Sequence, residues 1–283
     1  MLVLQLYILL QRVSFFCAIF WICSFIDKKL FQTIGNILDL IEKDDMPKYL
    51  LFLENAFPYM DNYNYHKGMK EIIQELKVLL KTKSIGTDSD RALLLDFQAA
   101  LETQPEKAIK LEKNALAQIE NITADNARLV SNLHANLGGL YRMNGYPDLA
   151  REHMEKSISL LDQFNLLHIN DSIPQIANYA MFLTKQQEPE RGISELQKLS
   201  GIIKEYHSDE CLDYAKVQEN LATIYLMTAN LSQAKTHFKK AFKIYEKILA
   251  DEPEMIEAKY REIQELYPQI GFSIGKTLSG LLT

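Results

Sequence analysis

The sequence predicts an all-α fold in which pairs of helices stack one on another in a solenoid, and three observations support it. A motif recurs every 42 residues, as NLGGLY at 136–141, NYAMFL at 178–183 and NLATIY at 220–225. A helix-start signal recurs at the same interval, at positions 105, 147, 189 and 231. Finally, 11 glycines and 8 prolines are few for 283 residues, which suits helices joined by short turns. A constant period between about 20 and 50 residues is typical of solenoid arrays.

Residues 1–29 form a distinct apolar segment. Between Met1 and Ile26 the only charged residue is Arg12. A secretory signal peptide is disfavoured, because no Lys or Arg precedes the apolar run and no small-x-small cleavage site follows it. Two interpretations stay open. Residues 1–26 either anchor the chain in a membrane, with Arg12 costing roughly 2.5–3.5 kcal/mol, or form a buried helix pair left from a preceding domain.

Both interpretations predict a cytoplasmic array. If the segment spans a membrane, Lys28 and Lys29 on its C-terminal side favour keeping the remainder of the chain in the cytosol. The three cysteines, Cys17, Cys23 and Cys211, cannot build a disulfide framework and are interpreted as reduced thiols of an intracellular protein.

Residues 30–85 are predicted to be helical and to form a degenerate first repeat. Apolar residues recur with a helical period in three stretches, at 30–44, 49–60 and 67–80. The polar segment 81–90 is predicted to be a linker, in which Ser89 and Asp90 cap the helix that follows.

The repeat array is predicted to occupy residues 89–270. Its repeats are expected at about 89–124, 125–167, 168–208 and 209–251, followed by a partial repeat at 252–270. In the three clear repeats the first helix is expected to end near Met143, Lys185 and Met227, and the second helix to begin at Pro147, Pro189 and Leu231. Proline suits the first turn of a helix, where its missing N–H is not needed. The apolar tail 271–283 is expected to cap the open end of the stack.

Small residues at fixed positions predict where the two helices of a pair touch. Gly138 and Ala150 lie one on each helix of the first clear pair. The later repeats keep small residues at both places, as Ala180 with Gly192 and Ala222 with Ala234. Because these residues allow close approach, a larger side chain is expected to overpack the contact by roughly 1–3 kcal/mol.

With residues of these types at these offsets, the chain resembles tetratricopeptide repeat (TPR) proteins. The resemblance is clearest at 133–249. The usual repeat has about 34 residues, and the 42-residue interval resembles the longer-helix repeats of kinesin light chains, bacterial peptide-sensing regulators and the arms of some signalling ATPases. The resemblance implies a right-handed superhelix with a concave groove. His134, where the family often has a large aromatic residue, and Gly192, where it prefers alanine, depart from the pattern and are expected to lower local stability.

Three asparagines at one register are the candidate binding residues. Asn136 lies about 200° around the helix from Gly138, so it should face the groove if Gly138 faces the packed neighbour. Asn178 and Asn220 follow by the repeat. An asparagine amide can bond both the C=O and the N–H of an extended peptide, and the resemblance implies that asparagines here bind the main chain of a target. The alternatives are an exposed polar position or a hydrogen bond between helices of the array.

Further residues on or beside the same stripe of the first helices suggest a ligand that is partly acidic and partly apolar. Together with the three asparagines they define the groove stripe, and they are Arg142, Met143, Met181, Lys185, Lys216, Thr223 and Met227.

No catalytic, metal or cofactor site is predicted. The six histidines are scattered, neither HExxH nor CxxC occurs, and Gly275-Lys276-Thr277 lacks the first glycine of a phosphate loop. A chain with 31 Lys and Arg against 37 Asp and Glu also lacks the basic excess typical of nucleic-acid binding. We therefore expect a non-catalytic module that binds a peptide or protein segment. The alternative is the C-terminal sensor or regulatory arm of a signalling ATPase or transcription regulator. Neither the partner's identity nor the oligomeric state follows from the sequence.

Overall fold

The computed structural model describes residues 66–82, 87–169, 172–250, 253–266 and 268. The ten elements within these ranges are all α-helices, which confirms the predicted fold class. None of these helices is both long and apolar enough to cross a membrane. Several predictions lie outside the described residues: the apolar segment 1–29 with its possible anchor, the helices expected within 30–65, and the capping tail 271–283.

The chain divides into two compact units, Met1–Ile122 and Thr123–Thr283. The first unit contains α1 (His66–Thr82), α2 (Asp88–Ala100) and α3 (Pro105–Leu116). Helix α2 packs against both of the others. Its buried face, with Ala92 and Phe97, contributes to the core of this unit. Helix α1 covers the predicted helical stretch 67–80 and extends it at both ends.

The cap of α2 differs from the prediction. Thr87 is the N-cap, because the N–H of Asp90 donates to Thr87 Oγ1 at 3.2 Å. In return, the N–H of Thr87 donates to the carboxylate of Asp90 at 2.7 Å. This reciprocal arrangement is a capping box with aspartate at the third helical position. The predicted cap at Ser89 and Asp90 was therefore wrong, because both residues already lie within the first turn.

Among its described residues, the second unit contains three consecutive helix pairs and one further helix. The pairs are α4 (Ala127–Met143) with α5 (Pro147–Gln163), α6 (Ser172–Lys185) with α7 (Pro189–Tyr206), and α8 (Leu212–Met227) with α9 (Leu231–Ile248), and the further helix is α10 (Pro253–Leu266). Each second helix also packs against the first helix that follows it. All six predicted helix ends and starts are confirmed at the predicted residues.

The first helix of every pair ends in the same turn. Gly145, Gln187 and Ala229 each have a positive φ, of 78°, 66° and 60°. The next residue closes the turn by donating its N–H back to the carbonyl five residues earlier, as Tyr146 does to Tyr141 at 3.0 Å. The same bond joins Glu188 to Leu183 and Asn230 to Tyr225. This is the Schellman arrangement, which satisfies carbonyls that the helix end leaves open.

The small residues lie at the helix contacts, as predicted. Ala150, Ala180, Ala222 and Ala234 are all fully buried. At Gly138 an added Cβ would lie 2.6 Å from Met154 Cγ and 3.2 Å from the carbonyl oxygen of Ala150. The contact between α4 and α5 therefore depends on the missing side chain.

The contact between α6 and α7 leaves even less room for a side chain at Gly192. A Cβ there would lie 2.6 Å from the carbonyl oxygen of Ala180, a backbone atom that cannot turn aside as a flexible side chain can. The expectation that Gly192 lowers local stability relative to alanine was therefore wrong, because the backbones of α6 and α7 come too close for any Cβ.

Candidate functional site

The three predicted asparagines lie at equivalent places on α4, α6 and α8. Asn136 and Asn178 are exposed and Asn220 is half-buried. The small residue two positions after each of them is buried. The first helices therefore have a packed face and a more accessible face in all three repeats, which is the separation that the helical angle predicts. The binding role of the asparagines stays a prediction.

Most of the other groove-stripe residues are accessible, although two of them have partners within their own helix. Arg142, Met143, Lys185, Lys216 and Met227 are exposed, whereas Met181 and Thr223 are half-buried. Lys216 Nζ lies 3.4 Å from the carboxylate of Asp213, and the hydroxyl of Thr223 donates to the carbonyl of Glu219 at 3.0 Å. Arg142 and Lys185 make no ion pair or side-chain hydrogen bond within the described ranges.

Two groove-stripe residues meet at a small cavity between α4 and α6. The cavity has a volume of about 30 Å³ and lies against α5. We call it the Gly139 cavity, and it is lined by Ala135, Gly139, Arg142, Met154, Ser157, Gln175 and Asn178. The structure thus brings Arg142 of one repeat next to Asn178 of the following repeat, which the sequence did not indicate.

A buried hydrogen-bond network supports the cavity and joins three helices. The hydroxyl of Ser131 donates to Gln175 Oε1 at 2.8 Å, and the hydroxyl of Ser157 donates to the same oxygen. Gln175 Nε2 donates to Asn132 Oδ1 at 2.6 Å. Because both serines are at most 1% exposed, these bonds hold the Gln175 amide in one orientation. The role of Gln175 was not predicted from the sequence. The only sequence feature that pointed to this network was the presence of Ser131 and Ser157 at positions where the helical pattern predicts apolar residues.

A histidine pair connects α4 and α5 on another side of the hairpin. The Nδ1 atoms of His134 and His153 are 2.9 Å apart, so one ring donates and the other accepts. His153 also stacks on Tyr141, with ring centroids 5.4 Å apart. Burial, followed by the positive fields of His153 and Lys156, lowers the pKa of His134 to about 4. His134, which we expected to weaken the fold, therefore has a specific partner as a neutral side chain.

The same arrangement recurs two repeats later with a glutamine in place of one histidine. His237 Nδ1 lies 2.9 Å from Gln218 Oε1, and its ring stacks on Tyr225 at 5.3 Å. Burial, with a smaller contribution from Lys240, lowers the pKa of His237. Gln218 occupies the position of His134, so one histidine and one neutral polar partner are enough to form this contact.

A polar cluster joins α5, α6 and α7. The hydroxyl of Tyr179 donates to Glu155 at 2.7 Å and accepts from Arg191 at 3.2 Å. Arg151 and Arg191 both pair with Glu188. Burial and the bond to Glu155 raise the pKa of Tyr179, so its hydroxyl stays protonated and acts as a donor. These contacts fix one repeat to the next.

The described ranges contain no group of three or more His, Cys, Asp or Glu side chains close enough to bind a metal ion. The pKa shifts of His134, Tyr179 and His237 are each explained by burial of the side chain in a contact between helices. Their arrangement therefore supplies stability and orientation.

Comparison with known proteins identifies the repeat. Residues 172–247 match the family model of the tetratricopeptide repeat. A protein of P. anserina, described as a kinesin light chain with nearly identical TPR-like repeats, has a TM-score of 0.53 at 15% identity. That alignment covers 71% of this chain and 97% of that one. No curated protein matches the sequence.

A second solved structure extends the likeness along the chain. It is a Rap protein complexed with competence and sporulation factor, with a TM-score of 0.51 at 15% identity. The alignment covers 93% of this chain and 76% of the Rap protein. At this identity the likeness shows the fold. The predicted TPR resemblance is confirmed, and assignment to the longer-helix type stays a prediction.

Proposed function

We propose that this chain is a non-catalytic protein-interaction module that binds an extended segment of a partner along its first helices. One observation carries the proposal: Asn136, Asn178 and Asn220 recur at one register on α4, α6 and α8, on the side opposite the buried small residues. Arrays of stacked repeats offer extended binding surfaces of this kind. The groove stripe is the surface that we assign to the partner.

The chemistry of the asparagines supports a main-chain contact. Asn178 and Asn220 make no side-chain hydrogen bond to residues that the structure describes. The amides of these two residues are therefore not used for bonds between described helices, which was one of the two alternatives for this register. Each amide offers donors and an acceptor that match the N–H and C=O of an extended peptide.

The spacing of the helices is compatible with an extended ligand. Packed helices lie about 8–10 Å apart, and a strand rises about 3.3 Å per residue. A ladder of asparagines on successive first helices would therefore meet roughly every third residue of a peptide, or a longer interval. The complex of the Rap protein with competence and sporulation factor is an example of this fold holding a ligand.

A peptide selection tests the proposal. The full chain is immobilised and challenged with a phage library of random 12-residue peptides, and one enriched peptide is synthesised with a fluorescent label. Its dissociation constant is then measured by anisotropy for the wild type and for the Asn136→Ala/Asn178→Ala/Asn220→Ala variant. We expect binding to weaken at least about tenfold, because each lost hydrogen bond contributes roughly 0.5–1.5 kcal/mol.

A matched variant on the second helices serves as the control. Gln163, Gln197 and Thr236 are exposed, neutral polar residues of α5, α7 and α9. Replacing all three by alanine should leave the affinity within about twofold of the wild type. These residues lie outside the groove stripe, and substitutions of exposed side chains usually have small effects on the fold. Equal affinity in all three folded proteins would contradict the proposal, as would the absence of any enriched peptide.

A further inference from the structure

We propose that the chain forms a two-fold symmetric dimer through its second helices, with α5 of one copy lying against α9 of the other. The exposed sides of α5, α7 and α9 together form the surface that we call the outer face. Its partner is a second copy of this chain, which binds in the reverse orientation. The proposed function uses the first helices, so it does not depend on this dimer.

The exposed sides of neighbouring second helices lie side by side. The guanidinium of Arg191 on α7 lies 3.4 Å from the carboxylate of Glu155 on α5. Likewise, Lys198 Nζ on α7 lies 3.5 Å from the carboxylate of Asp162 on α5. Helix α9 begins 42 residues after α7 and packs on the first helix of its own pair in the same way. The outer face therefore continues from α5 through α7 to α9.

The charge of the outer face changes sign from one end to the other. Helix α5 contains four Asp or Glu residues against two Lys or Arg. Helix α7 contains three of each kind, and α9 contains five lysines against one glutamate. The second helices thus pass from negative through neutral to strongly positive, in a chain whose net charge is −6.

Much of this charge is uncompensated within the described ranges. Four exposed lysines of α9 make no ion pair there, namely Lys235, Lys239, Lys240 and Lys243. The glutamate of the same helix, Glu246, already accepts a hydrogen bond from the hydroxyl of Tyr260 at 2.9 Å. On α5, the exposed carboxylates of Asp148 and Glu152 also make no ion pair within these ranges. The two ends of the outer face are therefore complementary to each other.

A two-fold axis through α7 makes this order of charges self-complementary. Both copies of a symmetric dimer use the same patch, so the contact of α5 with α9 occurs twice. The neutral helix α7 then lies against its own copy. The parallel orientation would instead place α9 on α9, and juxtaposed like charges are unfavourable. The reverse orientation is therefore the one that the charges select.

The middle of α7 has room for such a contact. Gly201 is exposed, and an added Cβ would have no atom within 4 Å. Ser194, seven residues earlier on the same side of the helix, is also small and exposed. A glycine inside a helix is less favourable than alanine, and no contact within the described residues requires it. At the two-fold axis its missing side chain lets the two copies of α7 approach closely.

The size of the outer face predicts a weak and reversible dimer. Helices of 17 or 18 residues are about 25 Å long, and three of them at about 10 Å spacing cover roughly 500 Å². Two copies would bury about 1,000 Å² in total, which is the lower limit for a specific interface. Because the attraction is between exposed charges, salt should weaken it. We expect a dissociation constant in the micromolar range.

Charge reversal tests the contact of α5 with α9. Lys239→Glu/Lys243→Glu reverses two lysines of α9, and Asp148→Lys/Glu152→Lys reverses two carboxylates of α5. Self-association of the full chain is measured by sedimentation velocity over a range of protein concentrations. We expect the wild type to form dimers at least about tenfold more weakly at 500 mM than at 50 mM salt. Each variant alone should dimerise at least about tenfold more weakly than the wild type, because both contacts become repulsive.

Mixing the two variants separates this interface from any other. In a mixed dimer each contact again joins an acidic helix to a basic one, so the affinity should return to within about threefold of the wild type. Lys70→Glu/Lys77→Glu, two exposed lysines of α1, is the matched control. It changes the net charge as much as the α9 variant does, and it should dimerise like the wild type. Gly201→Leu should weaken the dimer at least about tenfold, because its side chain separates the two copies of α7.

Several results would overturn the inference. They are a monomeric wild type, dimers that persist in either charge reversal, and folded variants that fail to combine on mixing. Dimers that persist would mean that another segment, such as the apolar residues 1–26, holds the copies together. Thermal melts establish that each variant is folded. The chain that carries all four reversals gives a second route, because its exchanged charges should restore the dimer.

Discussion

At the scale of single residues, two neighbouring glycines on α4 have opposite surroundings. Gly138 lies against Met154 and the backbone of α5, while Gly139 faces open space. We expect Gly138→Leu to lower the free energy of unfolding by roughly 1–3 kcal/mol through overpacking. Gly139→Leu should instead raise it by up to about 1 kcal/mol, because leucine is the better helix former. Urea denaturation of both variants measures the difference, and equal responses would show that the packing face is assigned wrongly.

The histidine pair predicts a pH dependence of stability. The pKa of His134 is about 4 in the folded chain against an ordinary 6.5, so between these values the unfolded chain binds more protons. The contribution of neutral His134 is therefore present above pH 6.5, falls as the pH drops towards 4, and changes little below that. The melting temperature should decrease across this window, as measured by thermal denaturation at a series of pH values.

His134→Gln is the matched control for this prediction. It copies the pair formed by Gln218 and His237, so the hairpin should keep a partner for His153. The other ionisable groups, including His237, are common to both proteins. Between pH 6.5 and 4.5 the melting temperature of the wild type should therefore decrease more than that of the variant. Parallel curves would rule out His134 as the cause.

Residue roles could be predicted from the sequence only where a period makes them visible. The helical angle between Gly138 and Asn136 was enough to separate a packed face from an accessible one. The contact between His134 and His153 joins residues on different helices, and its recurrence at Gln218 and His237 uses another residue type. Because such a pair leaves no periodic signal, it could be found only from the structure.

At the scale of the helices, the Schellman turns that end the three first helices predict how glycine affects stability. Introducing glycine at the left-handed position should stabilise the fold, and removing it should destabilise the fold. Gln187 and Ala229 hold a left-handed conformation that glycine adopts more readily. We expect Gln187→Gly and Ala229→Gly each to raise the free energy of unfolding by up to about 1 kcal/mol. Gly145→Ala, in the first pair, should lower it by roughly 1 kcal/mol.

Thr228 provides the control for these turns. It precedes Ala229 but has an ordinary φ of −95°, so glycine relieves no strain there. Thr228→Gly should therefore leave stability unchanged or reduce it, as measured by urea denaturation alongside Ala229→Gly. Stabilisation by both substitutions would mean that the left-handed conformation is not the cause.

Helix boundaries were predictable, whereas the chemistry of the helix ends was not. Pro147 and Pro189 mark helix starts because proline needs no N–H donor in a first turn, and the repeat extended that boundary to Leu231. Gln187 and Ala229 gave no turn signal, because a left-handed turn at a helix end is usually marked by glycine or asparagine. Thr87 was missed as a cap, since Ser89 and Asp90 are equally good capping residues by type.

At the scale of the whole chain, one interval relates the sequence to the architecture. Helices α3, α5, α7 and α9 begin 42 residues apart, and the left-handed residues that end the first helices, Gly145, Gln187 and Ala229, keep the same interval. The fold class was predictable because repeated burial constrains many residues at once. The ligand was not, since groove residues such as Arg142 and Asn178 are free of that constraint and meet only in the folded chain.

The proposed function requires that the groove asparagines bind the main chain of a partner segment. The most direct measurement is a double-mutant cycle between Asn178→Ala and single amide-to-ester replacements along a selected peptide. An ester removes one main-chain N–H and weakens the neighbouring acceptor, while it keeps the side chains. We predict a coupling energy of about 0.5–1.5 kcal/mol at one peptide position. Additive effects at every position would contradict the claim.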